Sequence, residues 1–77
     1  MTTIKISLNS IDKVKSFVND LQKFDSDFDL ASGRYVIDAK SIMGIFSLDL
    51  SKPIDLIIHA EDGVEEILKT LSPYEVK

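Results

Sequence analysis

The chain has no cysteine in its 77 residues. That excludes a disulfide framework and any thiolate metal site, and it suits a reducing cytoplasm. Long apolar runs are missing too, since none approaches the roughly 20 residues needed to span a bilayer. The opening Met1-Thr2-Thr3-Ile4-Lys5 lacks the basic region and apolar run of a signal peptide. A cytoplasmic protein without membrane association is therefore expected. Positive charge is the scarcer sign: 9 Lys and Arg against 13 Asp and Glu leave a net charge of -4, which argues against nucleic acid as a partner. His59 is the one histidine. Without a second imidazole its acidic neighbours make a poor transition-metal site, so neither a metal nor a cofactor is expected. The glycines number 3, and none forms a phosphate-cradling loop.

What remains is ordinary for a globular domain. Hydrophobic residues make up 44% and charged residues 29%, too apolar a mixture for a disordered chain. One domain is the only sensible count, and a chain of this size buries only about 60–65% of its unfolded surface. Its core must be thin.

Ile4, Ile6 and Leu8 alternate with Lys5 and Ser7, the period of a half-buried strand. Asn9-Ser10 offers two N-cap candidates. From Ile11 to Phe24 the period lengthens: Ile11, Val14, Phe17, Val18, Leu21 and Phe24 recur every three or four residues, predicting an amphipathic helix. Asp12 falls in its first turn and Lys23 in its last, both favourable to the helix dipole. Phe28 to Ala31 and Arg34 to Asp38 read as two strands joined at Ser32-Gly33, where glycine supplies positive φ. Asp25, Asp27 and Asp29 alternate, but they lack the glycine and terminal glutamate of a calcium loop. They are expected to form a solvated acidic edge that blocks sheet-to-sheet pairing.

Ser41 opens a short helix reaching about Leu48, with its hydroxyl placed to cap the first turn. Ile45 and Leu48 can face a core, whereas Ile42, Met43 and Phe46 form a second cluster on another side. A small protein has little depth in which to bury both, so one side is expected to face a partner. Pro53 marks the start of the most apolar strand, Ile54 to Ala60, whose two apolar-rich faces suit a central position. Asp62 is a plausible cap for a last helix, Glu65 to Leu71, ended by Ser72-Pro73. Tyr74 to Lys77 reads as a short tail. The order β-α-β-β-α-β-α, with hairpin links and one-sided helices, predicts an α+β fold: a two-layer sandwich with a four-stranded antiparallel sheet, three helices on one face and the other face open.

That order, with Lys40-Ser41-Ile42-Met43-Gly44 at its middle, resembles the HPr family, the small phosphocarriers of the bacterial sugar phosphotransferase system. Lys23-Phe24-Asp25-Ser26-Asp27 is similar to the family's segment after its first helix. Ser47-Leu48 continues the middle motif, and Ile54 to Ala60 with Glu61-Asp62 is similar to its fourth strand and acidic turn. From Phe24 to Ala60 the resemblance needs no gap. It implies that residues 1–77 form a single HPr-like domain with an open-faced sandwich.

The same resemblance exposes a departure. HPr proteins carry phosphate on a histidine at the start of the first helix, with an arginine two residues on and then a proline. Counting back from Phe24, those positions fall on Ser10, Asp12 and Lys13. A phosphoryl relay needs an imidazole that is both nucleophile and good leaving group, and a serine phosphate is a far poorer donor. Asp12 also sets a negative charge where phosphate would arrive. Ser10 therefore reads as a helix cap at a degenerate phosphocarrier position, with no catalytic residue. Ser41 matches the family's regulatory serine, phosphorylated by a dedicated kinase in many Gram-positive bacteria. Ile42, Met43 and Phe46 match the family's partner-docking surface. His59 reads as a surface strand histidine.

The expected function is that of a monomeric, non-enzymatic HPr-like regulatory or protein-interaction module, open to control at Ser41. By resemblance its partners are phosphotransferase-system enzymes, a serine kinase or a transcriptional regulator. Two alternatives stand beside it: an active phosphocarrier with Ser10 as an atypical acceptor, and a relic scaffold without a partner.

Overall fold

The computed structural model describes residues 1–76, so only Lys77, at the end of the expected tail, lies outside the described residues. The elements are β1 (Thr2–Ile6), α1 (Ile11–Leu21), β2 (Asp27–Ser32), β3 (Tyr35–Asp38), α2 (Ile42–Phe46), β4 (Ile54–His59) and α3 (Val64–Leu71), followed by a 3-10 turn, Ser72–Tyr74. The expected order holds. All strand pairs are antiparallel, and the sheet runs β1-β4-β2-β3. The strand with apolar residues on both faces does sit inside.

Strand alternation decides which side the helices cover. Ile54, Leu56 and Ile58 of β4 are buried, as are Phe28 and Leu30 of β2 and Ile6 of β1. Their register partners share that face: Ile6 stands opposite Ile54, and Phe28 opposite Ile58. Val14, Phe17 and Leu21 of α1, Ile45 of α2, and Ile67 and Leu71 of α3 close over them in one core. The opposite face carries Lys5, Asp27, Asp29, Asp38, Asp55, Ile57 and His59, and no described helix covers it. Gly33, at φ 61, turns the β2–β3 hairpin as expected.

Five local expectations are corrected. The first helix stops at Leu21, so Lys23 lies outside its last turn and Phe24 outside its stripe. Phe24 instead packs edge-on against Phe28, ring centroids 6.3 Å apart. Ile11 is 61% exposed. At about 100° per residue, it lies roughly 90° from the centre of the Val14–Phe17–Leu21 stripe, on the helix flank. The cap of α3 is Gly63, at φ 72, with no side-chain bond, so Asp62 does not cap it. Asp27 and Asp29 belong to β2, an inner strand, and form no sheet edge.

The expected tail is the fifth correction, because it folds back. Tyr74 is buried, its ring meets Phe17 at 5.5 Å and 80°, and its hydroxyl donates to Asp20 Oδ2 at 2.9 Å. Ser7 N–H donates to Tyr74 O at 2.8 Å, and Val76 N–H donates to Lys5 O at 2.9 Å. A tyrosine three residues beyond a helix carries no periodic signal, which is why only the folded chain reveals its role.

Candidate functional site

The start of α1 lies beside the end of α2, where Asn9, Ser10 and Ile11 share a hollow with Phe46. The start of α2 lies instead near the segment that follows α1, where Lys40 reaches the Phe24 carbonyl. Ser10 has extended backbone, φ -147 and ψ 155, and its Oγ accepts the Lys13 N–H at 3.1 Å. This is the geometry of an N-cap. Asp12 sits exposed in the first turn, where the positive end of the helix dipole favours a carboxylate. Removing the cap with Ser10→Ala is expected to cost about 1 kcal/mol of stability, read in urea unfolding. An unchanged midpoint would show that the bond at Ser10 holds nothing.

Ser41 is built the same way. Its Oγ accepts the Gly44 N–H at 3.2 Å, and Ile45 N–H donates to its carbonyl at 3.0 Å. The side chain is half-buried. Neighbouring Lys40 does not reach toward that hydroxyl: its Nζ donates to Phe24 O at 2.7 Å and lies 5.6 Å from the Phe28 ring centre. The adjacent cation noted in the sequence thus fastens the segment after α1 rather than waiting beside Ser41.

The two-sided pattern of α2 resolves as a gradient. Ile45 and Leu48 are buried, Ile42 packs half-buried on the core, Phe46 is 41% exposed and Met43 is 79% exposed. The helix ends at Phe46, short of the expected Leu48. At about 100° per residue, Ile42, Phe46 and Met43 lie roughly 60°, 100° and 160° from Ile45. The order of exposure follows the order of angle. Phe46 also lines a hollow of about 510 Å3 with Asn9, Ser10, Ile11, Leu50 and Ser51. Ile11 and Leu50 therefore join the apolar patch. Sequence reasoning placed Ile11 in the core and passed over Leu50; the angle of Ile11 to the α1 stripe was the signal for the first. Beside them Asp49 stays anionic, because the Ser51 hydroxyl and backbone N–H, bonded at 2.5 and 3.1 Å, hold its carboxyl below the usual range.

His59 is far from the start of α1. The chain enters α1 beyond Ile6, whose partner is Ile54, whereas His59 lies at the other end of β4. Five residue steps along a strand separate those ends by roughly 17 Å. The imidazole also points to the uncovered face, where its Nε2 meets Asp29 Oδ2 at 2.8 Å. It cannot serve the start of α1.

The fold and these features define a class: an open-faced α+β sandwich with two serine-capped helices and an exposed apolar patch. A family model described as the PTS HPr component phosphorylation site matches residues 13–74. The chain belongs to the HPr family of the phosphotransferase system. Among solved structures, it is similar to HPr-C-His from Thermoanaerobacter tengcongensis, with a TM-score of 0.77, 29% identity, and 95% of this chain and 89% of that chain covered. It is also similar to the phosphocarrier protein HPr from Bacillus anthracis str. Ames, with a TM-score of 0.72 over 96% of this chain and 94% of that chain; at 22% identity this likeness concerns the fold. No curated protein matches the chain. The family's proteins are phosphocarriers rather than catalysts and work through protein partners. Among the described residues, no helix is long and apolar enough to cross a membrane.

Proposed function

We propose that this chain is a single-domain, HPr-like regulatory or interaction module that has lost phosphocarrier chemistry. The observation that carries the reading is the state of the α1 start. Serine stands at the position corresponding to the family's histidine, its hydroxyl is engaged as a cap, and Asp12 lies in the same turn. The sole imidazole is at the far end of the opposite face. Among the described residues no base bonds the Ser10 hydroxyl, and serine phosphate would not pass its phosphoryl group on readily.

Docking is assigned to Ile42, Met43 and Phe46, with Ile11 extending the patch. The exposure of Met43 and Phe46 supports this, since apolar side chains of that size gain most from leaving water at a contact. Ser41 is assigned as the regulatory position. Phosphate there would sit at the start of α2, against N–H groups without helical partners, and beside Ile42 and Met43. A charge added at the patch rim would change which partner binds.

Incubation with enzyme I and labelled phosphoenolpyruvate tests the loss of transfer. No label is expected, and acid-labile label on this chain overturns the reading in favour of an active carrier. Incubation with the HPr serine kinase and ATP, followed by mapping, tests the switch. Phosphate is expected on Ser41 and is expected to vanish in Ser41→Ala; an unmodified Ser41 removes the regulatory assignment.

A further inference from the structure

The sheet has two outer strands, and among the described residues only one is covered. Along β1, residues 74–76 run antiparallel, with Glu75 bridging Ile6 and the two backbone bonds from Ser7 and Val76 already described. Along β3 nothing comparable lies among the described residues.

The ladder shows which groups are left over. Ala39 N–H donates to Phe28 O at 2.9 Å, so these residues form a hydrogen-bonded pair. Pairs alternate along an antiparallel ladder, which makes Ile37–Leu30 and Tyr35–Ser32 the next bonded pairs. Val36 and Asp38 therefore turn their backbone groups outward. The Asp38 carbonyl accepts Ser41 N–H at 3.0 Å, while the N–H and C=O of Val36 find no such partner among the described residues. The side chains beside them are apolar and exposed, Tyr35 at 71% and Val36 at 62%. Tyr35 lines a hollow with Ser47, Leu48 and Asp49, just beyond α2, and neither it nor Val36 has a part in the proposed function.

We propose that β3 pairs with β3 of a second copy of this chain, antiparallel about a two-fold axis at Val36, in place of the monomer expected from sequence. The residues around Val36 complement themselves. Val36 meets its counterpart, and their outward N–H and C=O groups bond reciprocally. Tyr35 faces Ile37 of the other copy on the helix side. Arg34 faces Asp38, twice, on the open side, and opposite charges directly across a strand pair stabilise it. Arg34 makes no ion pair or side-chain hydrogen bond among the described residues. Charge on an edge strand usually blocks pairing. Here the two signs lie symmetrically about Val36, so self-pairing satisfies both. Centring the axis on Asp38 would set that carboxylate against itself, and centring it on Ile37 would set Val36 against Asp38 and Arg34 against Lys40, so the register about Val36 is favoured.

A pairing this short falls below about 1,200 Å2 of buried area, the range of weak, concentration-dependent complexes. Sedimentation equilibrium of the full chain up to about 1 mM is the suitable measurement. A reversible dimer is expected, with backbone amide shifts on dilution concentrated at residues 34–38. Val36→Lys is expected to weaken it at least about tenfold by placing two ammonium groups together on the axis. Arg34→Glu and Asp38→Lys are each expected to be monomeric alone, and an equimolar mixture of the two to dimerise again, because every cross-strand pair is then of opposite sign. The proposal is overturned by a monomer throughout that range, by dilution shifts centred on Met43 and Phe46 or on β1, or by a mixture that stays monomeric.

Discussion

Phe17→Ala is expected to leave the chain largely unfolded at 37 °C. Phe17 has no exposed surface, lies at the centre of the α1 stripe and holds the Tyr74 ring at 5.5 Å. Truncating a buried phenylalanine costs about 3–5 kcal/mol, from the transfer of its ring and from the cavity left behind. A domain of this length is stable by only about 4–12 kcal/mol. The loss therefore consumes a large share of the total. In a domain this small each kcal/mol moves the melting point by roughly 4–8 °C, so a fall of at least about 12 °C is expected by circular dichroism. A fall smaller than about 5 °C would mean that the α1 stripe does not close the core. The same substitution loosens the C-terminal segment, because Tyr74 loses its ring partner while keeping its bond to Asp20.

Stability is also expected to fall steeply in alkali, through Tyr74. Burial raises the pKa of its hydroxyl, and the bond to Asp20 with that carboxylate's charge raises it further, to about 12 from an ordinary 10.0; Ser16 opposes the shift slightly. The folded state thus favours the protonated phenol. This contribution is fully present below pH 10.0, where folded and unfolded chains both keep the proton. Between pH 10.0 and about 12 the unfolded chain releases its proton first, and the contribution declines. A shift of that size corresponds to about 2.7 kcal/mol, and solvent near the Asp20 carboxylate reduces the expected loss to roughly 1–2 kcal/mol. Tyr74→Phe provides the reference. Near neutral pH the variant is expected to be less stable by about 1 kcal/mol, the net worth of one hydrogen bond. Its urea midpoint is expected to decline less with rising pH than that of the unaltered chain. Parallel declines would show that the phenol does not carry the effect, since exposed Tyr35 and the lysines titrate in both proteins.

Most of the architecture was legible because periodicity reports burial directly. Alternation marked β1, the inner face of β4 and the hairpin, and a three-to-four spacing marked α1 and α3. The split character of α2 was visible too, since angle on a helix wheel orders Ile45, Ile42, Phe46 and Met43 as their exposure does. The boundaries were less legible. Phe24 continues the spacing of α1 in sequence, yet the helix has ended by then, and the ring is used against Phe28. Spacing cannot register where a helix stops when the next apolar residue happens to keep time.

Charged and capping groups were read with mixed success for a related reason. Ser10 and Ser41 act locally on an N–H three residues ahead, so the residue and its spacing suffice to identify them. Lys40 acts across 16 positions on the Phe24 carbonyl, and Tyr74 across 54 on Asp20. Nothing near either residue announces those partners.

From residue order alone came the element sequence, the amphipathic faces, the two serine caps and the lack of an imidazole at the head of the first helix. These follow from neighbours within one or two turns or strand steps. Long-range packing settled the strand order, the anchoring of the C-terminal segment to α1 and β1, and the contrast between a covered β1 edge and an open β3 edge. Each depends on groups distant in the chain meeting across the sheet, and that proximity arises only once a common core has formed.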